Sequence, residues 1–264
     1  MDDGRNARSV DILSINPNEY NSKAVGGNEF LNPITCSNSD RVKVFGRGKN
    51  NVFINGGFFN SSGAYKNHSK STPIGPTRTE QSSSFIPTPD RYKDCFGKLN
   101  FDDDSYISSA PLLSVMGQMV FDGSKLSENR FNYDAVRQGE LQLFPGDLYH
   151  SSDPNPRAGI SFPEKTSMMI DKNRARQNRI RLVAVLASGR GENSNGFTMP
   201  EFSSLMARLD RMNISPGESY NLDGGGSVIM GITDHGGNIV FRVAQENERG
   251  RDSSTMIVYN FRGK

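Results

Sequence analysis

Two segments combine polar side chains with runs of glycine: Asn55-Gly56-Gly57-Phe58-Phe59-Asn60 and Asn221-Leu222-Asp223-Gly224-Gly225-Gly226-Ser227. Consecutive glycines let a backbone turn sharply and approach a ligand closely, and their N–H groups can receive anionic oxygens. Each segment follows an apolar run of strand character, so Asn55 and Asp223 are presented at strand ends. A lone Asn-Gly is ordinarily a hairpin turn without chemistry. Three glycines exceed what a two-residue turn needs, and Leu222-Asp223 before them and Ser227 after them make the second segment more specific. Its carboxylate is the first candidate for acid–base or nucleophilic work.

The remaining chemistry-bearing residues are more ordinary. His68 and His150 lie in loop-like stretches, and His235 sits in Asp234-His235-Gly236-Gly237, a hairpin-turn sequence. No pair of them has metal-ligand spacing, so neither a metal nor another cofactor is expected. Asp102-Asp103-Asp104 reads as an exposed turn. Net charge is +2, which excludes a chain-wide nucleic-acid footprint but leaves room for a local phosphate site. No run of about 18 apolar residues exists to span a membrane, and the N-terminal MDDGRNARSV lacks the basic-then-apolar layout of a signal peptide. Cys36 and Cys95 are compatible with a disulfide or with two thiols. Asn-x-Ser/Thr triplets begin at Asn60, Asn67 and Asn213.

The elements that must position these groups are mostly short strands. Val10 to Ile15, Arg41 to Phe45 and Val52 to Ile54 read as strands, and Tyr106 to Phe121 as a hairpin turning near Gly117. Ile180 to Ala187 is a continuous apolar run, the pattern of a strand covered on both faces. Phe202, Leu205, Met206, Leu209 and Met212 form one helical stripe. Thr198 and Glu201 have the spacing of a capping box before that helix, and Asn213 suits a left-handed end after it. Strands follow around Tyr220–Leu222, Val228–Ile232, Ile239–Val243 and Thr255–Phe261. Residues 60 to 83, and again 148 to 163, read as surface loops.

Together these motifs resemble those of the phosphodiester glycosidases, and the likeness runs in order along most of the chain. Asn55 to Phe59 are similar to that family's Asn-Gly-Gly-Phe-Phe motif, and Asn221 to Ser227 to its Asn-Leu-Asp-Gly-Gly-Gly-Ser signature. Between them, Ala110-Pro111-Leu112-Leu113 with Asp122-Gly123, Pro156-Arg157-Ala158-Gly159-Ile160, and Ser188-Gly189-Arg190 with Gly196-Phe197-Thr198 resemble shorter family segments. Two positions depart from it: Ser188 stands where the family has Asp, and Ala158 where it has Thr.

The resemblance implies hydrolysis of a sugar-1-phosphodiester, of the N-acetylglucosamine-1-phosphodiester kind, with a phosphorylated carbohydrate as partner and an extracytoplasmic setting. The implied catalytic residues are Asp223 and Arg190, with Glu192 as a replacement acid for the one missing at Ser188. Arg157 and Arg190 suit the phosphate because a guanidinium fork can hold two of its oxygens. Asn55, Gly56, Gly57, Asn221, Gly224, Gly225 and Ser227 are the implied substrate-binding residues, the two Asn on sugar hydroxyls. The expected architecture is α+β: one domain over residues 1–264, with mixed, mainly antiparallel sheets flanked by a few helices. The site is expected where the strands before Gly56 and Gly224 end, with residues 60–83 as a lid. Ser188 also admits an alternative, a carbohydrate- or anion-binding module of the same fold without hydrolysis. A metal-dependent nucleotide phosphodiesterase lacks its ligand cluster.

Overall fold

The computed structural model describes residues 9–31, 44–45, 50–59, 71–80, 85–87, 96–121, 153–164, 178–188, 195–245 and 253–263. Two sheets face each other. The larger orders its strands β1 (Ser9–Ile15), β9 (Ile180–Leu186), β8 (Arg157–Pro163), β10 (Pro216–Asn221), β6 (Tyr106–Val115) and β4 (Thr77–Arg78). Strands β5 (Phe96–Asn100) and β7 (Gln118–Met119) also pair with β6. The smaller sheet runs β12 (Ile239–Ala244), β11 (Ile229–Thr233), β3 (Asn51–Asn55), β13 (Ser253–Phe261) and β2 (Tyr20–Leu31).

Period-two alternation builds the core between them. Leu182, Ile160 and Leu222 point inward from the larger sheet, where Ile54, Met230 and Ile257 meet them from the smaller one. The alternate residues of β9, Val183 and Val185, face the other way, onto α1 (Met199–Asp210) through Phe202, Met206 and Leu209. That double cover explains the unbroken apolar run of β9. On the outer face of the smaller sheet, Phe53, Ile229 and Val258 pack with Val44 and Phe45. Helix α1 begins as its sequence requires: the Thr198 side chain accepts from the Glu201 amide and Glu201 reaches back to the Thr198 amide.

Several expectations are corrected. The α+β architecture with mixed sheets and flanking helices is replaced by a β-rich sandwich. Every strand pairing among the described residues is antiparallel. The inner sheet faces cover one another, so they need no helical cover. Val44 and Phe45, read as strand, are helical. The stretch 148–163 hides strand β8 behind its prolines. Ser71 to Thr79 is no open loop: Ser71, Thr72, Ile74, Thr77 and Thr79 are buried, and β4 pairs with β6. Asn213 does not end α1 in the left-handed region, since Asp104 and Met116 are the positive-φ non-glycine residues among those described. Its buried side chain accepts instead from the Arg179 amide and the Arg181 guanidinium, at 2.9 and 2.8 Å. No helix of the described residues is long and apolar enough to cross a membrane.

The contact between α1 and the larger sheet is tight at Gly159, where an added Cβ would lie 2.7 Å from Phe202 Cζ and 3.0 Å from the Tyr220 carbonyl oxygen. Gly159→Ala is therefore expected to destabilise the fold by about 1–3 kcal/mol. Combined with Phe202→Leu, which withdraws the ring, the two losses should fall short of their sum by roughly 0.5 kcal/mol or more in chemical denaturation. Strict additivity would mean that the alanine does not meet the ring.

Candidate active site

Antiparallel register decides which strand ends gather. Asn55 closes β3, and because Met230 pairs with Ile54 and Met256 with Asn55, the starts of β11 and β13 lie beside it. In the larger sheet Asn221 closes β10 opposite Gly159, which brings the start of β8 to the same edge. Asp223 to Ser227, leaving β10, turn across this edge between the two sheets.

Asn55 makes the join. It is fully buried, its Nδ2 donates to the Asp223 carbonyl at 2.7 Å, and its Oδ1 accepts from the Ile229 amide at 3.1 Å. One side chain thus links the loop after β10 in the larger sheet to β3 and β11 in the smaller. Gly56 completes the clamp, since its carbonyl accepts from the Asp223 amide at 2.9 Å and its own amide donates to Thr255 O at 2.8 Å. The main chain of Asp223 is therefore held at both its N–H and its C=O. Gly56 is required by crowding, because a Cβ there would stand 2.2 Å from Thr255 Oγ1.

Asp223 is partly exposed as a residue, while its carboxyl is enclosed by the protein and its Oδ1 accepts from the Gly224 amide at 3.0 Å. Desolvation by the surrounding protein pushes its pKa up to about 7, against the opposing pull of the Ser227 hydroxyl and the Gly224 amide. A carboxyl that exchanges its proton near neutrality can serve as acid or base at working pH. Gly224 and Gly225 are glycines for different reasons. A Cβ on Gly224 would lie 2.8 Å from Pro156 O, whereas Gly225 has φ +60° and open space around it. Their amides are not the open anion nest that the sequence suggests: Gly224 N–H faces Asp223 and Gly225 N–H donates to Pro156 O at 3.0 Å.

Arg157 reaches the same edge but as a strut. It is 5% exposed; Nε donates to Phe197 O at 2.9 Å and Nη2 to Asp153 O at 3.0 Å. That edge of the guanidinium ties the loop before β8 to the one before α1, where Asn155 and Phe197 exchange backbone hydrogen bonds. Burial lowers its pKa to about 10, partly offset by Asp153, so the group stays cationic at neutral pH. Asn221 is sealed at 1% exposure, with Nδ2 donating to Leu222 O at 2.7 Å. Neither Asn55 nor Asn221 thus offers its Nδ2 to a sugar hydroxyl, because backbone carbonyls hold both. Gly57 is buried beside Gly56. Ser188 is exposed and its amide donates to Asn195 Oδ1 at 2.8 Å. Arg190 and Glu192 lie outside the described residues, as do Cys36, Cys95, His68, His150, Asn60, Asn67, the Asp122-Gly123 turn and most of the 60–83 segment. No group of three or more His, Cys, Asp or Glu able to hold a metal ion occurs among the described residues.

Sequence reasoning missed Thr255, Asp153 and Gln245. Gln245 pairs with the end of β9 like a further strand residue, Oε1 accepting from Ala187 N at 3.0 Å and Nε2 donating to Ala187 O at 2.7 Å. No local sequence signal marks Gln245 or Thr255, because their partners are distant in the chain. Asp153 opens the Asp-Pro-Asn-Pro run, which signals a rigid turn but not its carbonyl's partner.

Comparison with known proteins gives fold-level likeness. The chain is similar to a hypothetical protein from Synechocystis, with a TM-score of 0.51 and 13% sequence identity over 95% of this chain. It spans 59% of the length of that protein. It is also similar to the zebrafish N-acetylglucosamine-1-phosphodiester alpha-N-acetylglucosaminidase catalytic domain auto-inhibited by its pro-peptide, with a TM-score of 0.49, 14% identity, and 98% and 83% of the two chains covered. No family model matches the chain, and no curated protein matches it in sequence.

Two outcomes follow from this geometry. Asn55→Ala leaves the Asp223 carbonyl and the Ile229 amide without their partner, each worth about 1–3 kcal/mol when buried. Its midpoint of urea unfolding should drop accordingly, and an unchanged midpoint would show that the amide does not join the sheets. The second concerns Asp223. Between about pH 4, the value of a free aspartate, and about pH 7 the folded protein keeps a proton that the unfolded chain has released. Stability from this group is therefore lost as pH rises through that window. Asp223→Asn should melt above wild type at pH 8, with the gap closing towards pH 4; a gap independent of pH would place the carboxyl in water-like surroundings.

Proposed function

We propose that this protein hydrolyses a sugar-1-phosphodiester, releasing the sugar from a phosphorylated aglycone, with Asp223 as the catalytic carboxylate. The observation that carries this reading is Asp223 itself: a partly exposed residue pinned through its main chain where the two sheets meet, whose desolvated carboxyl has its pKa pushed up to about 7. The ordered resemblance of the glycine-rich motifs to those of phosphodiester glycosidases supports the substrate class.

The chemistry suits one well-placed carboxylate. In its ionised form Asp223 takes a proton from water as the water oxygen bonds to the anomeric carbon. The bond from that carbon to the phosphate oxygen breaks, and its electron pair leaves with the phosphate. A phosphomonoester is already a stable anion, so the leaving group needs less protonation than an alcohol does. Cationic help on the phosphate falls to Arg190 in this proposal, because the Nε and Nη2 of Arg157 hold backbone carbonyls. Glu192 remains the candidate second acid. Asn55 becomes a positioning residue that fixes the Asp223 backbone, and Ser227 orients the carboxyl. The alternative is a carbohydrate- or anion-binding module, favoured by Ser188 where the family pattern has a carboxylate.

The test is kcat/KM on a sugar-1-phosphodiester and on a neutral aryl glycoside of the same sugar. Wild type should turn over the phosphodiester, with kcat/KM falling about tenfold per pH unit below about pH 7 as Asp223 takes up its proton. Asp223→Asn should abolish turnover while remaining folded. Arg190→Lys should lose roughly tenfold to a hundredfold on the phosphodiester and much less on the neutral substrate. Arg157→Lys should weaken both alike. Binding without product in wild type would favour the module, and a pH-independent rate would remove Asp223 as the base.

A further inference from the structure

The turn from Asp223 to Ser227 has a second anchor besides Asn55. Gln245 follows β12 in the smaller sheet, and its main-chain amide donates to the Val228 carbonyl at 2.9 Å, one residue beyond Ser227. Its side chain crosses to the larger sheet and closes on Ala187, the residue after β9. There Oε1 accepts from the Ala187 amide at 3.0 Å and Nε2 donates to the Ala187 carbonyl at 2.7 Å. Ala187 lies past Leu186 and Val185, where the pairings of β9 with β1 and β8 end. One side-chain amide thus takes both main-chain groups of Ala187 and continues the ladder where no strand does.

The turn is thereby held at each end by a side-chain amide that links the two sheets. Asn55 and Gly56 fix Asp223 at the near end. Gln245 fixes Val228 at the far end. Between them the Gly225 amide donates to Pro156 O at 3.0 Å, and Ser227 and Val228 close a short 3-10 turn on Gly224 O and Gly225 O. The Val228 side chain is buried in the core, a contact that holds depth without direction. The hydrogen bonds through Gln245 supply the direction. Ser227 sits next to Val228, and its hydroxyl bonds to the Asp223 carboxyl. A shift of Val228 along the sheet therefore moves the group that orients the carboxyl.

We infer that Gln245 is a positioning residue for the proposed reaction: fixed against Ala187, it holds the Ser227 end of the turn and, through Ser227, the Asp223 carboxyl. It acts through Val228 and Ser227, not on the reacting atoms. The inference rests on the catalytic role proposed for Asp223.

Gln245→Met keeps the length of the side chain and removes both bonds to Ala187, while Gln245→Ala removes its bulk as well. Gln245 is half-buried, so both variants are expected to fold. Ile180→Val is the control, a core change at the opposite end of β9 from Ala187. The first measurement is an NMR titration of the Asp223 carboxyl carbon, which needs no turnover. Desolvation, the Ser227 hydroxyl and the Gly224 amide set that pKa, with no charged group among the causes. A loosened turn admits water and weakens the largest of these. The midpoint should therefore fall by about half a unit or more in both Gln245 variants and stay unchanged in Ile180→Val. The second measurement is hydrolysis of the phosphodiester at pH 8, where the carboxyl is ionised in every form. There kcat should fall by about tenfold or more in the Gln245 variants, with KM changed by less than about twofold. Folded wild type without turnover sinks the hydrolytic reading alone, and the titration then decides for Gln245. The inference is overturned if the Gln245 variants keep a midpoint within about half a unit of wild type, or if Ile180→Val falls as far. With an active wild type, an unchanged kcat or a loss confined to KM overturns it equally.

Discussion

The arrangement of this protein hangs on one buried amide. Asn55 donates to the Asp223 carbonyl and accepts from the Ile229 amide, and so fastens the loop leaving β10 to strands of the opposite sheet. Hydrophobic contact alone presses the sheets together without choosing how their edges meet. A directional pair of hydrogen bonds in a dry environment does choose, because either group left unpaired would be costly. Gly56 reinforces the choice from the other side of the Asp223 main chain. The position of the carboxyl is thus determined by the same contacts that align the sandwich.

This dependence changes what the polar groups around the edge can do. Side chains and amides that look ready for a ligand, Asn55, Asn221, Gly224, Gly225 and much of Arg157, are engaged within the protein. They form a rigid mount, and Asp223 with Ser227 is what the mount presents. Such a division suits the catalytic role proposed for Asp223, since a catalytic group must be held within a fraction of an ångström by partners that do not themselves move. Desolvation of Asp223 is the by-product of being mounted so closely, and it is this that lifts its proton affinity.

Local patterns disclosed much of the fold. The Thr198–Glu201 box, the double-sided apolar run of β9 and the hairpin at Met116-Gly117 all express interactions within a few residues, or a repeating period, and all are present. Strand β8 escaped notice because Pro154, Pro156 and Pro163 bracket it with loop signals, although Ala158, Ile160 and Phe162 alternate towards the core. Its identity comes from sitting between β9 and β10. The sandwich itself was hidden for a related reason: alternation tells that a strand has a buried face, but not whether a helix or another sheet covers it. At the site, residue types pointed to Asn55, Arg157 and Asp223 together, whereas their roles depended on partners as far as 174 positions away in the chain. Chemistry marks a residue as polar at a strand end; only the fold tells whether it faces a ligand or its own backbone.

The contrast between Asn55 and Asp223 bears on descent. A lineage that abandoned the proposed catalysis on this scaffold would still be selected to keep Asn55, because its amide joins the two sheets. Asp223 is held in place by its main chain, which any residue supplies, while its ionised carboxyl weakens the folded state at neutral pH. Drift should therefore replace Asp223 first, and soonest in members that no longer use it. On the proposed role of Asp223, an Asn at the first motif in relatives of this chain would report the fold, and an Asp at the second would report continuing use of the carboxyl.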